Sequence, residues 1–251
     1  MIGRCVLNPS GYLYDEPYFL LQQEVSEVGS YFSIIKAIAA GNSKLSAIST
    51  VLEIKSTSLT KYLKTLMDLD ILEREVPVTE DNPEKSKKGL YRIKDNYLRF
   101  WFAFVYPNKS FIESGHSQVV LEKIRKGLAS HHISFVYEDV CRERMWQLNA
   151  TDTWPFHFTK LGRYWDARTE IDIAAVDPEG KNLILGECKY WQEPMGANIL
   201  RELEGKAGNV AWEQGKRRTW YVLFGAGGFT DELEALAAER DDVLLFHDRE
   251  T

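Results

Sequence analysis

Apolar and polar positions along the chain fall into blocks of helical and then strand period. From Tyr31, YFSIIKAIAAGN carries apolar residues at helical spacing and stops at Gly41-Asn42, a C-terminal signal. KLSAISTVLEI predicts a second short helix. A third is expected over roughly Ser58–Leu69, capped by Ser56 or Thr57, with Leu59, Tyr62, Leu63 and Leu66 on one face. ILEREVPV and LYRI then read as strands joined by the charged tip EDNPEKSKKG. Three short helices followed by a hairpin predict a winged helix-turn-helix, and a plain helical bundle with a hairpin fits the same pattern. DNYLRFWFAFVY, ending at Pro107, is too apolar to lie exposed and is expected to be a helix in a core.

Beyond Pro107–Gly115 the pattern changes, which places a domain boundary there: residues 1–110 form the winged-helix domain with an N-terminal arm, and 111–251 a second domain. Helices are expected over Gln118–Gly127, Ser130–Leu148 and Met195–Gln214, and in FTDELEALAAER. Strands are expected over Phe158–Asp166, Thr169–Val176 and Asn182–Trp191, in TWYVLFGAGG and in VLLFH. DPEGK joins the second and third strands as a hairpin. This order predicts a mixed sheet flanked by helices, and the whole an α+β or α/β two-domain protein.

Composition narrows the function classes. With 251 residues and 44% apolar content, the chain can build real cores. It shows no membrane-length apolar run and no signal-peptide pattern, and its three scattered cysteines suit a reducing compartment, so a cytoplasmic protein without membrane partners is expected. The net charge of −6 argues against nonspecific coating of nucleic acid. Residues 1–110 carry 14 Lys+Arg against 13 Asp+Glu, whereas residues 111–251 carry 17 against 24, a net of −7. Any DNA contact must therefore be local. Candidates are Lys55, Thr57, Ser58, Thr60, Lys61 and Lys64 around the third helix, and Lys85, Lys87 and Lys88 at the hairpin tip.

The chemistry concentrates in TEIDIAA and GECKYW. Period two places Glu170 and Asp172 on one face, with Ile171 and Ile173 on the other, and puts Glu187 beside Lys189 with Cys188 opposite. If Asp172 and Glu187 lie on neighbouring strands, their carboxylates can converge as a hard oxygen site suited to Mg²⁺ or Mn²⁺, to which the Cys188 carbonyl can add an oxygen. Lys189 beside it can orient or deprotonate a water, or steady a phosphoryl transition state. A surface ion pair is the ordinary alternative for any one E-x-K; paired acids within apolar strands raise the case for a ligand. The five histidines lack metal spacing.

Asp172 with Glu187-Cys188-Lys189 resembles the PD-(D/E)XK nuclease superfamily, which includes restriction endonucleases and archaeal Holliday-junction resolvases. More closely, YDEPYFLLQQE, YFSIIKAIAAGNSKLSAIS, KGLYRIKDNYLRFWFAFVYP, GRYWDARTEIDIAA and LILGECKYW resemble the C-terminal part of a group of archaeal and bacterial ATPases. In that group a P-loop domain precedes a winged helix and a nuclease-like domain, DUF234. The resemblance implies a restriction-endonuclease-like C-terminal fold. It also implies a further metal or water-mediated ligand on the helix before the hairpin. Glu138 matches it, where the residues alone leave Glu143 equal; Glu170 becomes an auxiliary ligand candidate. The chain has no GxxxxGK[ST] segment, so no ATPase activity is expected of it.

The expected function is thus a protein that binds duplex or branched DNA and carries a divalent-metal-dependent, endonuclease-like phosphodiesterase domain. The alternatives are a catalytically silent DNA-binding or regulatory module acting with a separate P-loop ATPase, and a protein-interaction adaptor.

Overall fold

The computed structural model describes residues 2–151 and 153–247. By packing, the chain divides into two compact units, one of residues 1–75 and 87–132 and one of 76–86 and 133–251.

The first unit is mostly helical. Helices α1 (Ile2–Cys5), α2 (Glu16–Glu24), α3 (Val28–Ala39), α4 (Leu45–Leu52) and α5 (Ser56–Asp68) precede strands β1 (Leu72–Glu75) and β2 (Leu90–Ile93); α6 (Asn96–Phe100), α7 (Lys109–Glu113) and α8 (Ser117–Leu128) follow. Helix α3 stops as its sequence dictates. Gly41 takes φ 94°, and the Asn42 side chain donates to the Ala37 carbonyl at 3.0 Å. Helix α5 buries Leu59, Leu63 and Leu66. It begins at Ser56, two residues earlier than expected, and the Ser56 hydroxyl donates to Ser49 Oγ at 3.2 Å instead of capping the helix. β1 and β2 pair antiparallel from Leu72↔Ile93 to Glu75↔Leu90. The aromatic run after α6 is a π-helical turn, Trp101–Val105, with Trp101, Phe102, Phe104 and Val105 buried in the core. Trp101 Nε1 donates to the Tyr14 carbonyl at 2.7 Å, which satisfies the indole there.

The division at His132/Ile133 lies later than the junction expected at 110/111. Ile112, Val120 and Ile124 of α7 and α8 are buried with α3 and α5, so these helices complete the first core. The hairpin's connecting segment, 76–86, goes with the second unit instead. Val78 is buried in a core cluster there, and its N–H donates to the Arg163 carbonyl at 2.9 Å.

The second unit is a five-stranded mixed sheet between helices. Helix α9 (Ser134–Asn149) precedes β3 (Lys160–Trp165), β4 (Glu170–Val176) and β5 (Asn182–Lys189); α10 (Ala197–Ala207), β6 (Arg218–Gly225), α11 (Asp231–Ala238) and β7 (Val243–His247) follow. Strand order is β3-β4-β5-β6-β7, antiparallel through β5 and parallel beyond it, because α10 and α11 provide the crossovers that parallel pairing needs. Tyr137, Cys141 and Met145 of α9 pack on one face of the sheet, against Ile184 and Val222. Leu200 and Leu203 of α10 and Leu233 of α11 pack on the other, against Leu185 and Leu223. Helix α10 is shorter than the run to Gln214 predicted. Val210 turns into the core, and Arg217 supplies donors to the Ala207, Val210 and Trp212 carbonyls in place of further helical turns. Among the described residues, no helix is long and apolar enough to cross a membrane.

Candidate active site

The candidate site lies where β4 and β5 cease to be paired. Their ladder runs from Val176↔Leu183 to Ile173↔Gly186 and ends there. Beyond it, β4 stays with β3 through Tyr164↔Ile171 and Trp165↔Glu170, and β5 stays with β6 through Lys189↔Gly225. Asp172 and Glu187 therefore occupy facing positions one step past the last rung. The pairing of β3 and β4 also shifts by one residue. Asp172 and Ile173 together oppose Arg163, a β-bulge of the kind that re-aims side chains.

The bulge corrects the alternation expected for β4. Ile171 packs into the cluster beneath α10 and α11, whereas Ile173 packs into the one beneath α9, so these two residues do not share a face. Glu170, expected to accompany Asp172, is ion-paired with the Arg163 guanidinium.

Asp172 Oδ2 accepts a hydrogen bond from the Cys188 N–H at 3.0 Å, taking the place that a β4 carbonyl would fill in a continued ladder. A strand residue projects its N–H and C=O to the same side, so the Cys188 carbonyl also opens toward the fork. The Cys188 thiol is buried in the α9-side cluster, and burial pushes its pKa well up, so the neutral thiol is held there. Lys189 Nζ lies 2.7 Å from Glu187 Oε2 and 3.7 Å from Asp172 Oδ2, bridging the two acids. A second lysine, Lys206 of α10, pairs with the other oxygen of Glu187.

The electrostatics follow from this crowding. Burial, and then the charge of Glu187, push the Asp172 carboxyl up to about 6, against the opposing pull of Lys189 and the Cys188 amide. Glu187 is only 4% exposed, and burial alone would raise its pKa; Lys189 and then Lys206 outweigh that and hold it below the ordinary carboxylate value. Burial likewise pulls Lys189 down, but Asp172 and Glu187 together hold its pKa above the ordinary lysine value. The site thus contains one acid that ionises late, one held ionised, and an ammonium that stays protonated.

Asp172, Glu187, Cys188 and Lys189 are brought together. Glu138 faces inward from α9, with Glu143 exposed, and lies 3.8 Å from Arg142 Nη1 and 3.9 Å from Arg163 Nε. Arg142 Nη1 in turn donates to the Asp172 carbonyl at 3.3 Å, which links α9 to the bulge through a guanidinium. Among the described residues, no three His, Cys, Asp or Glu side chains converge as a ready metal cage. No local sequence signal points to Lys206. It lies 19 residues beyond Glu187 on a separate helix, and only the crossover brings it back.

In the first unit, Lys55, Thr57, Ser58, Thr60, Lys61 and Lys64 are all exposed on or just before α5, as are Lys87 and Lys88 before β2. Lys64 is 4.0 Å from Asp68, and Thr60 Oγ1 donates to its own helix at Ser56 O. Lys85, also exposed, ends a short 3₁₀ turn (Pro83–Lys85) in the segment that belongs to the second unit.

Residues 101–204 match the DUF234 family, described as archaea bacterial proteins of unknown function. The chain is also similar to the uncharacterized protein MJECL04 of Methanocaldococcus jannaschii, 38% identical over 238 residues, which cover 94% of this chain and 51% of that protein. It therefore spans about half the length of this curated relative. No solved structure matches it.

Proposed function

We propose that the chain binds DNA through a winged helix-turn-helix formed by α3, α4, α5 and the β1–β2 hairpin, and that its sheet unit is a PD-(D/E)XK-type, divalent-metal-dependent phosphodiesterase. The observation that carries the catalytic half is the fork: Asp172, Glu187 and Lys189 meet at one point where two strands part. Two ionisable acids and an inward carbonyl are oxygen donors of the kind Mg²⁺ or Mn²⁺ takes, so the residues present fit a hard cation. Asp172, Glu187 and the Cys188 carbonyl would hold it, with Glu138 a further candidate reached through water. A divalent cation bound there supplies charge neutralisation and an acidified water.

The remaining work falls to the chain's own groups. Lys189, kept protonated by both acids, favours the role of charged donor to phosphate oxygens over that of free base. Arg142 holds the bulge backbone at Asp172, which fixes the direction of that carboxylate. The exposed lysines and hydroxyls of α5 suit phosphate and base-edge contacts. The test is cleavage of labelled duplex and branched DNA with Mg²⁺ or Mn²⁺. Asp172→Asn and Glu187→Gln are expected to lower the rate at least about a hundredfold while leaving DNA affinity intact. Unchanged cleavage by both variants would overturn the assignment.

A second reading, a catalytically silent DNA-binding or regulatory module, is favoured by one observation. Glu187 already has two ammonium partners, so its charge is balanced without a metal. Calorimetric titration with Mn²⁺ separates the two, since heat that depends on Asp172 and Glu187 supports the first reading alone.

A further inference from the structure

Glu187 is nearly inaccessible to solvent yet holds two lysines, one on each carboxylate oxygen. The two are not equivalent. Lys189 sits on the same strand, two residues away, and also reaches Asp172 at 3.7 Å, so it belongs to the acid pair by construction. Lys206 arrives from the last turn of α10, and its side chain keeps 35% of its exposure. A lysine stem rooted outside the strands and open to water can swing away from Glu187 without disturbing the sheet. An ammonium and a metal ion at Glu187 would set two like charges on one buried carboxylate, and their repulsion puts them in competition for it.

We propose that Lys206 is a tethered counter-ion that occupies Glu187 in the metal-free protein and competes with the divalent cation for it. This rests on the metal-dependent reading above and adds a control to it. Metal would bind more tightly once the ammonium moves off, and a nearby phosphodiester would help by giving that ammonium a new anionic partner. Metal affinity should then rise when DNA is present, through differential binding of the two states.

The test is Mn²⁺ affinity measured by calorimetry without DNA, using wild type, Lys206→Met, Lys206→Arg and, as a charge control, Lys216→Met. Lys216 precedes β6, at the end of that strand opposite Leu223, the partner of Glu187. Lys206→Met is expected to bind Mn²⁺ roughly five- to tenfold more tightly, a modest factor because the Lys206 side chain is about one-third exposed and its charge is screened. Lys206→Arg should stay near wild type, and Lys216→Met should not move. Thermal melts check that each variant is folded, and Lys206→Gln replaces the methionine variant if that one is not.

Mn²⁺ binding that requires Asp172 and Glu187 but is equally tight in wild type and Lys206→Met would overturn the counter-ion role and leave the metal site standing. So would equal tightening by Lys216→Met, which would reduce the effect to net charge. Absence of Mn²⁺ binding in both wild type and Lys206→Met would overturn the metal-dependent reading and this inference with it.

Discussion

At the scale of single residues, Asp172 and Glu187 answer pH in opposite senses. The Asp172 carboxyl titrates near 6 in the folded protein, against about 4 in an unfolded chain. Between those values the folded state holds more protons, so its stability falls as pH rises from about 4 to 6 and does not recover above. In metal-free protein, Asp172→Asn should remove that loss and gain on the order of 2 kcal/mol at neutral pH. Urea denaturation at pH 5 and pH 7.5 in chelator measures it, and equal stability differences at both pH values would refute it. Glu187, held low by its lysines, contributes stability that is present at neutral pH and lost only as pH falls through its depressed pKa. Gly186, the last residue of β5 to pair with β4, has no room for a side chain. A Cβ there would come within 2.5 Å of Val222 Cγ1 and 2.9 Å of the Val222 carbonyl. Gly186→Ala is therefore expected to cost about 1–3 kcal/mol in chemical denaturation.

Among the elements, the periodic ones were legible and the irregular ones were not. The end of α3 at Gly41-Asn42, the β4–β5 hairpin and the β6, α11, β7 series follow from local signals at those residues. The π turn at Trp101–Val105 does not, since its apolar run suits any buried helix; the packing of Trp101 and Phe102 against Phe32 and Tyr106 accompanies the geometry. The β4 bulge is likewise invisible to a period-two reading, which sends Ile171 and Ile173 the same way. The early end of α10 depends on Arg217, whose guanidinium reaches three carbonyls between Ala207 and Trp212. Arg217→Met should lower stability by about 1–3 kcal/mol and speed hydrogen exchange in residues 208–217. A lysine there should rescue little, because a point charge cannot replace a planar fork. Unaltered exchange in Arg217→Met would disprove the capping role.

On the scale of the whole molecule, charge decides how DNA could be engaged. The chain is acidic overall, and the surplus lies in residues 111–251, so the proposed DNA binding would have to come from local basic surfaces. Charge reversal of the exposed Lys61, Lys64, Lys87 and Lys88 is expected to weaken duplex binding at least about a hundredfold and to flatten its dependence on salt. Fluorescence anisotropy across a salt series reads both quantities. Affinity equal to wild type at every salt concentration would favour the adaptor reading instead.

The sequence by itself determined which segments carry the acids, the amine and the helical and strand periods, because these are properties of neighbours in the chain. Asp172 and Glu187 could be placed on adjoining strands from DPEGK and the flanking apolar runs alone. Tertiary structure decided what those groups meet. It parted β4 from β5 past Gly186, turned Asp172 onto the Cys188 amide, assigned Glu170 to Arg163, and carried Lys206 across a helical crossover to Glu187. It also drew α7 and α8 into the first core and Val78 into the second. Each of these depends on contacts between residues far apart in the chain, and local pattern holds no record of such distances.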